Sequence, residues 1–223
     1  MGLLGLAAVG AVALGAGYAL AASQAISSSA TCCTFSQPSF TIDAGQVATF
    51  SNAAATASHN VTAAGKGPDG KKLFRSPDLT GGQVAQVDGT QYLTPGTYHF
   101  VCTIHEGMAA DLVVTGNGTP VARPSISVEV TSGTLDAVVA SGKLKVKVSA
   151  QTQSHGIALV ARKGARKLGS KPGIDLVAGA SQVVKLPLSR SGRRALAGLG
   201  SATVKVSGSV PFGAGATATR KLR

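Results

Sequence analysis

The chain opens on an unbroken apolar run, residues 3–22, and then changes to short alternations of apolar and polar positions. Phe40 and Ile42 alternate with polar neighbours, Ala44-Gly45 is a turn, and residues 47–50 begin a second strand. His59-Asn60-Val61-Thr62 reads as a third strand, residues 64–72 as a polar Gly-rich loop, and residues 83–87 as another strand. Pro95-Gly96 turns the chain into a strand with Tyr98, Phe100 and Cys102 on one face and His99 and Val101 on the other. Residues 111–115 close the set. Short strands at this spacing predict a two-sheet sandwich.

A Gly- and Pro-rich stretch, residues 116–125, follows and reads as a linker. Beyond it, residues 126–130, 143–149, 157–161, 183–188 and 204–209 are strand candidates, and residues 191–199 a short helix. Leu144, Val146 and Val148 face one way while Lys143, Lys145 and Lys147 face the other, the pattern of a half-buried strand with a solvated lysine face. The expectation is an all-β chain: a leader over residues 1–30, a first sandwich over 31–115, a linker over 116–125, and a second, Ig-like β-sandwich over 126–223.

Charge sharpens this division. The net charge is +12, but residues 1–30 carry none and residues 31–115 a net of −2. Residues 116–223 hold seventeen Lys or Arg against Glu129, Asp136 and Asp175, a net of +14. Such asymmetry predicts two modules with different surfaces. The basic one suits anionic cell-wall polymers or membrane surfaces. The uncharged run, with Ala19-Leu20-Ala21 and Ser28-Ser29-Ala30 as cleavage patterns, reads as a secretory signal peptide; a retained N-terminal anchor is the alternative. Either places the remainder outside the cytoplasm, where no nucleic acid partner is expected.

The candidate chemistry lies in Cys102-Thr103-Ile104-His105-Glu106-Gly107-Met108. Donors at i, i+3 and i+6 fit neither a strand nor a helix face, but they fit a tight loop. With His59 they make two imidazoles, one thiolate and one thioether, the donor set of a type 1 (blue) copper site. Met108 is the only methionine besides Met1, in a chain with three cysteines. Zinc also takes Cys and His, but a thioether suits copper better. Cys32 and Cys33 are adjacent, with Cα atoms about 3.8 Å apart, below the usual disulfide window. A strained vicinal bridge, linkage to another chain, free thiols and extra copper binding all stay open. His99 and His155 read as surface residues.

Residues 31–115 resemble the cupredoxin family, the blue-copper proteins related to plastocyanin, pseudoazurin and amicyanin. The resemblance rests on Phe35, Pro38, Ile42, Ala44-Gly45, Val47, Phe50 and Asn52, on Ser58-His59-Asn60-Val61, and on Pro95-Gly96-Thr97-Tyr98-x-Phe100-x-Cys102-x-x-His105-x-x-Met108. It implies a Greek-key β-sandwich with one type 1 copper at one end, held by His59, Cys102, His105 and Met108. It also implies that Asn60 ties the two ligand loops together, and that His105 is the partly exposed ligand through which electrons pass. Ile104 and Val101 depart from common family residues, so the partner surface is not inherited. Multicopper oxidases need more histidines than the four present, and no G-x-S-x-G, P-loop or H-E-x-x-H motif occurs. The expected function is therefore not enzymatic. It is single-electron transfer between Cu(I) and Cu(II), serving redox partner proteins that the sequence does not name. The alternative is a copper-binding or delivery protein held to the envelope by its basic C-terminal module.

Overall fold

The computed structural model describes residues 25–54 and 56–223, so the reading of the apolar leader lies mostly outside the described residues. Among them, no helix is long and apolar enough to cross a membrane. Buried hydrophobic side chains fall into two clusters, one running from Ile26 to Val114 and the other from Ile126 to Leu222.

The first cluster lies between two sheets. One is built from β1 (Ala25–Ser27), β3 (Thr49–Ser51) and β5 (Val84–Gln86), in the order β1-β3-β5. The other is built from β2 (Ser39–Ala44), β4 (Thr62–Ala63), β6 (Gly96–Val101) and β7 (Ala109–Gly118), in the order β2-β7-β6-β4. β1 pairs with β3 and β2 with β7, both in parallel, so strands distant in sequence are brought side by side as in a Greek key. Strict alternation builds the core: β2 buries Phe40 and Ile42 and exposes Ser39 and Thr41. Phe100 lies at its centre, with ring centroids 4.9 Å from Phe35 and 6.2 Å from both Phe40 and Phe74. Aromatic pairs in such tilted or edge-on contact are worth about 0.5–1.5 kcal/mol beyond the area they bury.

Three expectations change here. A leader reaching residue 30 is corrected, because Ile26 is fully buried and Ser28 Oγ donates to Asn52 Oδ1 at 2.8 Å. Residues 25–30 are therefore part of the sandwich; their small, uncharged side chains made them look like more leader. The expected strand at 59–62 is reduced to an isolated bridge between His59 and Leu79 and the two residues of β4. The linker starts at residue 119 rather than 116, since β7 continues until Gly118 stands beside Ala44. A Cβ at Gly118 would lie 2.4 Å from the Ala44 carbonyl oxygen, and φ there is +81°. Both demand glycine.

The second cluster is enclosed by β8 (Ile126–Val130), β9 (Lys143–Ala150), β10 (Ser154–Lys163), β11 (Arg166–Leu176), β12 (Ser181–Pro187), β13 (Ala202–Ser209) and β14 (Ala216–Leu222). The sheets are β12-β9-β8 and β11-β10-β13-β14. Lettered A to G, this is an A-B-E sheet facing D-C-F-G, an immunoglobulin-like arrangement with the fourth strand moved to the C-F-G sheet. Helix α1 (Leu135–Ser141), not foreseen, is capped by Thr134, whose hydroxyl accepts from Ala137 N at 3.2 Å; it ends at Gly142 with φ +64°. Helix α2 (Arg190–Arg194) falls at the start of the expected helix.

The two halves touch at Phe212. Its N–H donates to Asp69 Oδ2 at 3.1 Å, its carbonyl accepts from Arg123 Nη1 at 3.2 Å, and its ring lies 6.0 Å from Tyr92. The Arg123 guanidinium sits 5.7 Å from the centre of the same Tyr92 ring.

Candidate metal centre

The site forms where β6 gives way to β7. β6 ends at Val101 and β7 begins at Ala109, so seven residues must reverse the chain between neighbouring antiparallel strands. Cys102 N donates to Met108 O at 2.9 Å and closes the loop, while Met108 N reaches His105 O at 3.4 Å. Gly107, with φ +77° and open space around it, supplies the left-handed residue that this reversal uses. His59 approaches from the other side, held by reciprocal backbone bonds with Leu79 of 3.0 and 2.9 Å.

This folding brings three donors to one point. Cys102 Sγ lies 3.9 Å from His59 Nδ1 and 3.8 Å from His105 Nδ1, and the three donor atoms all lie within 4.8 Å of one another. The imidazole centroids are 4.7 Å apart. His59, Cys102 and Met108 are buried, whereas His105 is half-buried and reaches the surface. Met108 closes the same loop through its backbone, and its side chain is buried.

The electrostatics suit a metal. Burial, and secondarily the nearby His105, hold the His59 imidazole below its ordinary pKa of 6.5, which keeps it neutral. Neutral imidazole is the form that ligates. His59 Nε2 is buried with no hydrogen-bond partner among the described residues. It is the ring nitrogen turned away from Cys102, so Nδ1 is the His59 atom that meets the other donors. Two imidazole nitrogens and a cysteine sulfur converging where burial excludes water, on a loop that also carries the buried Met108, fit copper as a donor set.

Asn60 connects the two ligand segments. Its Oδ1 accepts from Thr103 N at 3.0 Å, and its Nδ2 donates to Thr103 Oγ1 at 2.7 Å and to Asp78 Oδ1 at 2.8 Å. Asn52, fully buried, holds the approach to His59: Nδ2 donates to the carbonyls of Ala57 and Leu79 at 2.7 and 2.8 Å. The parts played by Ser28, Asn52, Asp78 and Thr103 were not read from the sequence. Apart from the Asn52 bond to Ala57, five residues on, these partners lie 18 to 43 residues away, and no local pattern marks them.

The other histidines lie elsewhere. His99 Nδ1 is 2.9 Å from Asp111 Oδ1 across β6 and β7, and His155 Nδ1 is 3.6 Å from Asp175 Oδ1. Cys32 and Cys33 form a disulfide with each other. The bridge lies beside His105, all three potential donor atoms being within 4.8 Å of one another.

Residues 22–115 match the family model for copper binding proteins of the plastocyanin/azurin family. Similar solved structures include an amicyanin with a methionine-to-alanine substitution in its Cu(I) form, at 23% identity, and an oxidized proline-to-alanine amicyanin, also at 23%. Each has a TM-score of 0.34 and covers 41% of this chain and 81% of that chain. A third, the Cu(I) form of another methionine-to-alanine amicyanin, has 25% identity, a TM-score of 0.34 and the same coverage. No curated protein matches the chain.

Proposed function

Taking residues 22–115 as a domain of the plastocyanin/azurin family of copper binding proteins, we propose that this chain is an extracytoplasmic one-electron carrier. His59, Cys102, His105 and Met108 are its ligands for one type 1 copper. The observation that carries this reading is the meeting of His59 Nδ1, Cys102 Sγ and His105 Nδ1 within 4.8 Å at a buried loop that also contains Met108. Copper so held supplies a one-electron step between Cu(I) and Cu(II), both of which thiolate and imidazole accommodate.

The chain's residues do the rest. Asn60 and its three bonds to Thr103 and Asp78 fix the spacing between the His59 segment and the Cys102 loop, so the ligands rearrange little when the charge changes. Burial of His59 and Cys102 excludes water, and the half-buried His105 offers an edge to a partner. Ile104 beside it is 43% exposed, a large apolar side chain at the edge of that port. It supports docking by apolar contact with a redox protein. The test is the visible spectrum of Cu(II)-loaded protein beside Cys102→Ala: an intense thiolate-to-copper band, lost in the variant, supports the reading, and its absence from the parent protein sinks it.

One observation favours a second reading, copper delivery at an anionic surface. Lys145 stands directly opposite Lys185, and Lys167, Arg162 and Lys205 are register neighbours across β11, β10 and β13. Like charges placed opposite each other are unfavourable, and among the described residues no Lys or Arg pairs with a carboxylate. An anionic envelope polymer or lipid surface relieves that repulsion. Under this reading, copper-loaded protein transfers its metal to a competing metal-free protein.

A further inference from the structure

Cys32 and Cys33 are not placed at random. They form the turn at the tip of a loop whose base is tied twice: Ser29 N donates to Thr34 O at 3.0 Å, and Ser36 N to Ser27 O at 2.9 Å. Phe35, immediately after the tip, is anchored in the aromatic core, its ring centroid 4.9 Å from Phe100 and 6.3 Å from Phe50. This anchoring holds the two sulfurs against His105. Cys32 is exposed and Cys33 half-buried, so the pair is open to reagents. Cys33 has φ +79°, a left-handed conformation that costs a side-chain-bearing residue energy. Such residues gather at functional positions.

His105 thus belongs to two donor groups: an inner one with His59 and Cys102, and an outer one with Cys32 and Cys33. We propose that the outer group is a second, reduction-gated metal site that captures Cu(I) at the surface. The proposal rests on the copper reading of the inner group. It requires a dithiol reductant. Thiol–disulfide exchange breaks the Cys32–Cys33 bond; the two sulfurs gain two electrons and two protons, and the reductant's dithiol becomes a disulfide. Cu(I) then displaces both thiol protons and is held by two thiolates and the His105 imidazole.

The donor chemistry selects the ion. Two thiolates favour soft metals, chiefly Cu(I) and zinc. Structural zinc takes four tetrahedral ligands, and the outer group offers three. Exchange in the reverse direction, with a disulfide as the two-electron oxidant that is itself reduced to a dithiol, re-forms the Cys32–Cys33 bond, releases Cu(I) and closes the site. Because His105 is common to both groups, inward transfer needs only that Cys102 and His59 replace Cys32 and Cys33. Cys102 gives up one proton in that exchange and the outer thiolates take up two, so one proton comes from solvent and no electron moves.

The test uses the full chain with Cys102→Ala, which disables the inner group. Metal-free protein is reduced with a phosphine, freed of it without air, and titrated with Cu(I) against a chromophoric Cu(I) chelator. The expected result is one equivalent bound after reduction, none in the disulfide form, and none when Cys32→Ser and Cys33→Ser are added. Circular dichroism checks that each variant is folded. A second measurement uses an intact inner group: reduced parent protein acquires copper faster from the same chelator than the Cys32→Ser, Cys33→Ser variant, while both reach the same final blue absorbance after oxidation. Equal loading rates, no reduction-dependent binding, or zinc held in preference to Cu(I) overturns the proposal. Failure of the inner site is told apart by the blue band itself, which is absent from both proteins in that case.

Discussion

At the scale of the residue, the centre depends on a few side chains with little freedom. Asn60 is 3% exposed and bonds both ligand segments. Replacing it with Ala removes its bonds to Thr103 and Asp78, both exposed and able to turn to water, so each lost bond costs about 0.5–1.5 kcal/mol. Asn60→Ala is therefore expected to lower the urea midpoint and to shift the reduction potential of the loaded protein, as equilibrium denaturation and voltammetry will record. His59 sets a pH dependence. Its folded-state pKa lies below the ordinary 6.5, chiefly through burial. Above about pH 6.5 the residue is neutral in both states and contributes nothing; as pH falls below that value, the unfolded chain takes up a proton that the folded chain refuses. Metal-free protein should lose thermal stability as pH falls below 6.5, with a steeper decline than His59→Gln; identical profiles contradict this. The meeting of His59, Cys102 and His105 was legible because donor chemistry is written in residue identity. Ser28, Asn52, Asp78 and Thr103 were not, since nothing local separates a hydrogen-bonding residue from an ordinary polar one. Cys32 and Cys33 were legible as a pair but not as neighbours of His105, which only the folded loop brings near.

At the scale of the element, alternation was readable wherever a strand lies inside a sheet with one wet face. β9 buries Leu144, Val146 and Val148 and exposes Lys143, Lys145 and Lys147, as its sequence demands. β11 escaped notice because Gly169, Pro172 and Gly173 interrupt it. It is an edge strand with irregular register, where such residues are tolerated. β14 escaped because its Thr and Ala residues are weakly apolar and mostly face solvent, with Leu222 its one fully buried anchor. Gly169 permits a close approach of two strands, since a Cβ there would lie 2.0 Å from the Pro187 carbonyl oxygen, where β11 meets the end of β12. Forcing in that atom costs about 1–3 kcal/mol. Gly169→Ala should lower the urea midpoint by a corresponding amount and leave the blue spectrum unchanged.

At the scale of the whole molecule, the chain separates its chemistry from its charge. The copper-site half has a near-neutral balance, and the net of +14 resides beyond residue 115. The charge contrast was visible in the sequence; the contact through Phe212 was not, because it joins Asp69 to a residue 143 positions later. If lysine rows hold the protein to an anionic surface, retention on vesicles containing anionic lipid falls as salt rises above about 0.15 M, where the screening length is about 8 Å. Lys145→Gln with Lys185→Gln should weaken that retention; unchanged binding removes these residues from the surface. Whether the chain is a one-electron carrier is decided by redox titration of the copper-loaded protein, followed by metal analysis after desalting. Each chain should accept one electron, return it on oxidation with full recovery of the blue band, and keep one copper throughout. Copper lost on reduction would contradict the carrier reading and leave delivery as the better one.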